Sequence, residues 1–256
     1  MNRKADKANL PDTTMTLGEH LEELRARLIL ALGAVVVCAM GCMLFGGKII
    51  AFLEAPYLRI MPDAKLQVLA PAAGFIAYMK IAMISGLIIS SPWVFYQMWM
   101  FISAGLYPHE RKYVYIATPF CAGLFILGAM FFAFVISPAM LSFLIMFNTK
   151  FLHASSQFSF PDYISFVTLM MLIFGLAFQT PIAVFFLNRT GIIPLDAFRK
   201  ARKYVILGIV ILAAAATPGS DLVSLSSLSI SMYLLYELGI LMCRPAERRA
   251  KSHSAT

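Results

Sequence analysis

The chain has 256 residues, of which 60% are hydrophobic and 13% charged, with a formal net charge of +8. That charged fraction, against ~25% in soluble domains, excludes an ordinary water-soluble globule, and apolar runs too long for core helices point to lipid as the surrounding medium. The basic balance needs no nucleic acid, because anionic headgroups at a cytoplasmic membrane face account for it.

In chain order, residues 1–15 are read as a flexible polar tail, 16–243 as one membrane domain and 244–256 as a basic cytoplasmic tail. Leu17, Leu21, Leu24 and Leu28 recur at spacings of three and four, with Glu19, Glu22, Glu23, Arg25 and Arg27 on the other faces. This predicts an amphipathic helix at the membrane surface. Thr16 with Glu19 makes a capping box, and Glu22 with Arg25 or Glu23 with Arg27 can pair along the helix. Two readings of Glu23 stand: a solvated, self-paired face, or a carboxylate offered to a cationic ligand that displaces Arg27.

Four runs, 28–45, 75–102, 113–136 and 164–187, have the ~17–25 residues a span requires. A fifth, 204–216, lies between Arg202-Lys203 and Thr217-Pro218-Gly219 and would be only ~20 Å long at ~1.5 Å per residue. The sixth, 222–243, has Ser224, Ser226, Ser227, Ser229 and Ser231 in its first half, so its strongly apolar part is short as well. The predicted fold is therefore all-α, a polytopic membrane protein of six transmembrane helices.

Basic residues near span ends stay on the cytoplasmic side. Of the 21 Lys and Arg residues, only Lys48, Arg59, Lys65 and Lys150 fall on the opposite side of a six-span arrangement, with Lys80 inside the second span. Both termini are then cytoplasmic. The first apolar run follows a polar tail without a small-x-small cleavage pattern, which reads as an uncleaved signal-anchor.

No enzyme is expected. His20, His109, His153 and His253 all lie outside the spans, no HExxH occurs, and paired intramembrane aspartates are lacking. No cofactor or metal is implied, and Cys38, Cys42, Cys121 and Cys243 read as small buried hydrophobes. Lys80 and Glu237, charges at membrane depth within a few turns of span ends, read as snorkelling to the interface.

Glu110 follows Pro108 at the start of the third span, where helix capping alone accounts for an acid. Two acids on separate elements of one membrane face, Glu23 and Glu110, would also grip two guanidinium groups, each carboxylate accepting a fork of two N–H bonds that lysine cannot supply.

The run His20-Leu21-Glu22-Glu23-Leu24-Arg25-Ala26-Arg27-Leu28, then Ala55-Pro56, Tyr96-Gln97-Met98-Trp99-Met100-Phe101 and Gly105-Leu106-Tyr107-Pro108-His109-Glu110-Arg111 resemble the TatC family. Phe174-Gly175-Leu176-Ala177-Phe178-Gln179-Thr180-Pro181, Thr217-Pro218 with Asp221, and Leu234-Leu235-Tyr236-Glu237 extend the resemblance over nearly the whole chain. It implies a receptor for folded proteins whose signal peptides carry two arginines. Such a receptor works in the cell inner membrane with TatA/TatB-type single-span partners and the proton-motive force. By matched position, Glu23, Glu110, Arg25 and Phe101 would serve signal-peptide binding. Pro56, Gln179, Asp221, Tyr236 and Glu237 would serve structure, partner contact or translocation. The partner helices would dock along the fifth span, and homo- and hetero-oligomers are expected. The short fifth and sixth spans would thin the surrounding bilayer.

The chain departs from the family pattern at four places. Gln179 stands where a glutamate is usual, Leu225 where glutamine is common, Ser231 where the last span has proline, and Ala104 replaces the proline before Gly105. Losing the sixth-span proline should straighten that helix. A secondary transporter, with discontinuous helices near Gln179 and Pro181, and a non-translocating scaffold of the same fold are the alternatives.

Overall fold

The computed structural model describes residues 17–62, 66–104, 111–151, 153, 158–217 and 222–253. Among them the regular structure is helical, with a single isolated β-bridge between Gln67 and Ser159.

Helix α1, Leu17–Leu44, is one uninterrupted rod, so the separate surface helix expected before residue 28 is corrected. No proline lies within it to break the ladder of backbone bonds. Leu21 and Leu28 are 64% and 54% exposed and continue into exposed Leu32 and Val36, so the leucine stripe faces outward where lipid would lie. The opposite side, His20, Glu23 and Arg27, is half-buried and faces α3.

Helix α2, Gly46–Ile60, lies between the first two expected spans; its Leu53 and Tyr57 are buried and Pro56 lies inside it. The Tyr163 hydroxyl donates to the Leu53 carbonyl at 3.0 Å, tying α2 to the bundle. Nearby, Gln67 N–H donates to Phe158 O and Phe160 N–H to Gln67 O, joining the connections on either side.

Helix α3, Pro71–Ala104, has Pro92 in its interior. Pro92 cannot donate to Ile88 O, and the Ser91 hydroxyl takes that carbonyl at 2.7 Å instead.

Helices α4, Arg111–Phe131, and α5, Ser137–Phe151, are joined end to end by a π-helical turn over Phe132–Ile136. The third span was expected to stop at residue 136, ahead of Ser137-Pro138. Instead Ser137 N–H reaches back five residues to Phe132 O. The widened turn absorbs the proline without ending the helix.

The fourth span is divided into α6, Phe160–Ala177, and α7, Thr180–Arg189. Pro181 is the cause. The Ala177 carbonyl, to which Pro181 cannot donate, accepts the Thr180 hydroxyl at 2.7 Å.

Helix α8, Leu195–Ala216, is 22 residues long, so the expected short span 204–216 is only its apolar second half. Helix α9, Leu222–His253, is uninterrupted at Ser231 and continues into the stretch expected as a tail.

Among the described residues five apolar stretches are long enough to cross a membrane: His20–Leu44, Pro71–Ser103, Ala117–Phe151, Phe160–Arg189 and Leu222–Cys243. Helix α8 is not one of them; Arg199, Lys200, Arg202 and Lys203 occupy its first half. Packing runs α1 to α3 to α4 to α6, then α7 to α9 to α8. Tyr57, Phe132, Ile164, Met170, Phe174 and Leu228 are at most 1% exposed at the centre. Glycines allow two of the crossings: a Cβ on Gly86 of α3 would lie 2.6 Å from the Ala39 backbone of α1, and one on Gly128 would lie 2.6 Å from Phe174 O.

Candidate functional site

At the end of the bundle where α1 begins and α3 finishes, the polar side of α1 meets a buried amide. Arg27 Nη2 donates to Glu23 Oε1 at 3.1 Å, the i,i+4 pair anticipated from the sequence. Arg27 Nη1 donates to Gln97 Oε1 of α3 at 3.2 Å. Gln97 is only 3% exposed, so it is a fixed point rather than a mobile surface group. Glu23 Oε2 is buried and has no hydrogen-bond partner among the described residues. A carboxylate oxygen taken out of water without a donor is costly, which makes it a strong acceptor for an added N–H group. One turn earlier, His20 stacks on Phe101 of α3, ring centroids 4.5 Å apart at 25°.

Glu23 and Phe101 are thus brought to the same α1–α3 seam, but Arg25 is exposed on another face of α1. Glu110, which immediately precedes α4, and Asp221, which immediately precedes α9, lie outside the described residues. Gln97 and the second role of Arg27 were not recognised in the sequence. The available signal was a lone amide in the apolar run from 93 to 102, a residue type that is costly to bury unless paired.

Gln179 sits at the break between α6 and α7. Its Nε2 donates to Cys121 O at 2.9 Å, while Oε1 is buried with no partner among the described residues. On α3, Trp99 Nε1 lies 3.1 Å from Cys121 Sγ. The transporter alternative called for such a discontinuous helix, yet the break is closed internally: Phe178 N–H donates to Phe174 O, Gln179 N–H to Leu176 O, and Ala177 O takes Thr180.

Glu237 is paired with α8. Arg202 Nη2 of α8 donates to Glu237 Oε2 at 2.8 Å, Arg202 Nε lies 2.8 Å from Oε1, and the Tyr233 hydroxyl donates to Oε1 at 3.2 Å. The adjacent Tyr236, 3% exposed, donates to Phe198 O at 2.8 Å. Both residues therefore bind α9 to the basic half of α8. This pairing was not legible in the sequence because the partner of Glu237 is 35 residues away. Pro56 is in α2, away from these clusters.

A helical chain with five membrane-length apolar stretches among its described residues is a multi-pass membrane protein. Residues 19–230 match the family described as Sec-independent protein translocase protein (TatC). The chain is 35% identical to "Sec-independent protein translocase protein TatC" of Aquifex aeolicus, over 93% of this chain and 98% of that one. It is 34% identical to the protein of the same description from Helicobacter pylori strain J99, over 89% and 88%. It also superposes on the crystal structure of a "Twin Arginine Translocase Receptor- TatC" with a TM-score of 0.80 and 34% identity, covering 90% of this chain and 100% of that one. The chain belongs to the TatC family, a translocase family rather than a catalytic one, and is a component of the twin-arginine protein translocase.

Proposed function

We propose that this chain is the receptor subunit of that translocase and reads twin-arginine signal peptides at the α1–α3 seam. The observation that carries this reading is Glu23. Its carboxylate already holds one guanidinium, that of Arg27, and keeps a second, buried oxygen without a donor among the described residues. A guanidinium satisfies such an oxygen with planar N–H groups, whereas an ammonium is more strongly hydrated and lacks the fork. Glu110, which immediately precedes α4 in the sequence, is the proposed acceptor for the second arginine. Phe101, stacked on His20, would flank the bound peptide, and Arg25 would contact its polar segment from the exposed face of α1.

In this reading the protein crosses the cytoplasmic membrane six times with both ends inside. Helix α8 makes the fifth crossing through its apolar half, 204–216, while Arg199, Lys200, Arg202 and Lys203 remain at the cytoplasmic interface. The exposed apolar residues Ile206, Leu207, Val210 and Ile211 of α8 would receive TatA/TatB-type single-span helices. Transport of folded cargo would draw on the proton-motive force.

The test is binding of a labelled twin-arginine signal peptide to the full chain in lipid nanodiscs. Glu23→Gln should weaken binding by about tenfold, the loss of one charge-assisted hydrogen bond. A peptide with both arginines changed to lysine should bind at least as poorly. Equal binding of the arginine and lysine peptides would sink the reading.

A further inference from the structure

The contact that sets Glu23 is not made by Glu23 itself. Glu23 and Arg27 lie on the same helix, and an i,i+4 pair of this kind on an exposed helix face is weak and freely rearranged. Here the pair is anchored from outside. Arg27 spends one guanidinium nitrogen on Glu23 Oε1 and another on Gln97 Oε1, and Gln97 is fixed in α3 by its burial. The order of contacts, from rigid to reactive, is Gln97, then Arg27, then Glu23 Oε1, which leaves Glu23 Oε2 without a donor among the described residues.

We infer that Gln97 and Arg27 are positioning residues that hold the Glu23 carboxylate with one oxygen occupied and the other presented to an incoming guanidinium. This rests on the signal-peptide reading above and adds to it a geometry. The site's own arginine is not displaced; it fills one half of the carboxylate and sets the direction of the other. The ligand arginine then enters a half-built pair, and the carboxylate needs little reorientation when it arrives.

Two substitutions separate this role from simple packing. Gln97→Met keeps the volume and suits an apolar surrounding but gives Arg27 no acceptor. Gln97→Glu keeps an acceptor and places an unfavourable charge in a buried position. A residue that only packs would tolerate methionine and suffer from glutamate; a residue that holds Arg27 would show the reverse. Binding of a labelled twin-arginine signal peptide and of its twin-lysine version would be measured for the full chain in nanodiscs, with Glu23→Gln as the reference.

The expected result is a loss of about fivefold in twin-arginine binding for Gln97→Met, with reduced discrimination against the lysine peptide, and a Gln97→Glu affinity within about twofold of the parent. Should Gln97→Met fail to fold, Arg27→Gln, which releases Glu23 Oε1 while leaving Gln97 in place, should give the same loss. Parental binding by Gln97→Met together with weakened binding by Glu23→Gln would overturn the positioning role and leave the site reading intact. Parental binding by Glu23→Gln would remove the site reading, and this inference with it.

Discussion

Arg202 of α8 and Glu237 of α9 meet as a two-point ion pair, both contacts at 2.8 Å, with the side chains 41% and 24% exposed. Among the helices, α8 packs chiefly on α9, so this pair and the Tyr236 bond to Phe198 O are its main polar fasteners. Arg202→Ala would leave a half-buried carboxylate with only the Tyr233 hydroxyl as a donor among the described residues. A two-point pair at this partial exposure contributes about 1 kcal/mol. Thermal unfolding in detergent should show Arg202→Ala and Glu237→Ala each less stable by that order, and the double variant hardly worse than either. Additive losses would show that the two side chains act separately.

The close crossing of α1 and α3 gives a second expectation. A Cβ on Gly86 would meet Ala39 backbone at 2.6 Å, whereas one on Gly33 of α1 meets nothing within 4 Å. Gly86→Val therefore has to push the two helices apart, at a cost of ~1–3 kcal/mol typical of overpacking. Because Arg27 and Gln97 bridge the same two helices, protection of the α1 start against protease should fall with it. Gly33→Ala should leave both stability and protection at the parental level or slightly above.

Much of this architecture could be read from apolar run length, because a span is a long-range average over roughly twenty residues and tolerates local errors. The Glu23–Arg27 pair could be read for the opposite reason: it depends only on helical spacing. What escaped the sequence lies between these scales. Gln97, Arg202 and the Tyr163 contact to Leu53 join residues 35 to 110 positions apart, and no local pattern encodes which helix face meets which. The third span, expected to stop at residue 136, continues through Pro138 to Phe151, and the fourth, expected as one run over 164–187, divides at Pro181. The effect of a proline depends on what receives the carbonyl it cannot reach.

That dependence is itself testable at Thr180. Its hydroxyl holds Ala177 O at 2.7 Å beside Pro181, just as Ser91 holds Ile88 O beside Pro92. Thr180→Val keeps the side-chain shape and removes the donor, leaving a carbonyl in an apolar setting. A loss of about 1 kcal/mol is expected, whereas Thr180→Ser should remain near the parent. Faster hydrogen exchange confined to the junction of α6 and α7 in the valine variant would locate the effect.

The last expectation concerns Glu54 in α2, outside the membrane-length stretches. Burial raises its carboxyl pKa above the ordinary value, because desolvation disfavours the charged form. With the folded-state pKa above the unfolded one, ionisation weakens the fold. The penalty is absent below the unfolded value of ~4.3, grows as pH rises towards the folded value, and persists above it. Glu54→Gln removes the titration while retaining the shape. Its melting temperature should exceed the parent's at pH 7–8 and converge with it near pH 4. An advantage that is constant across this range would assign the effect to packing, and an advantage that grows on acidification would reverse the sign of the argument.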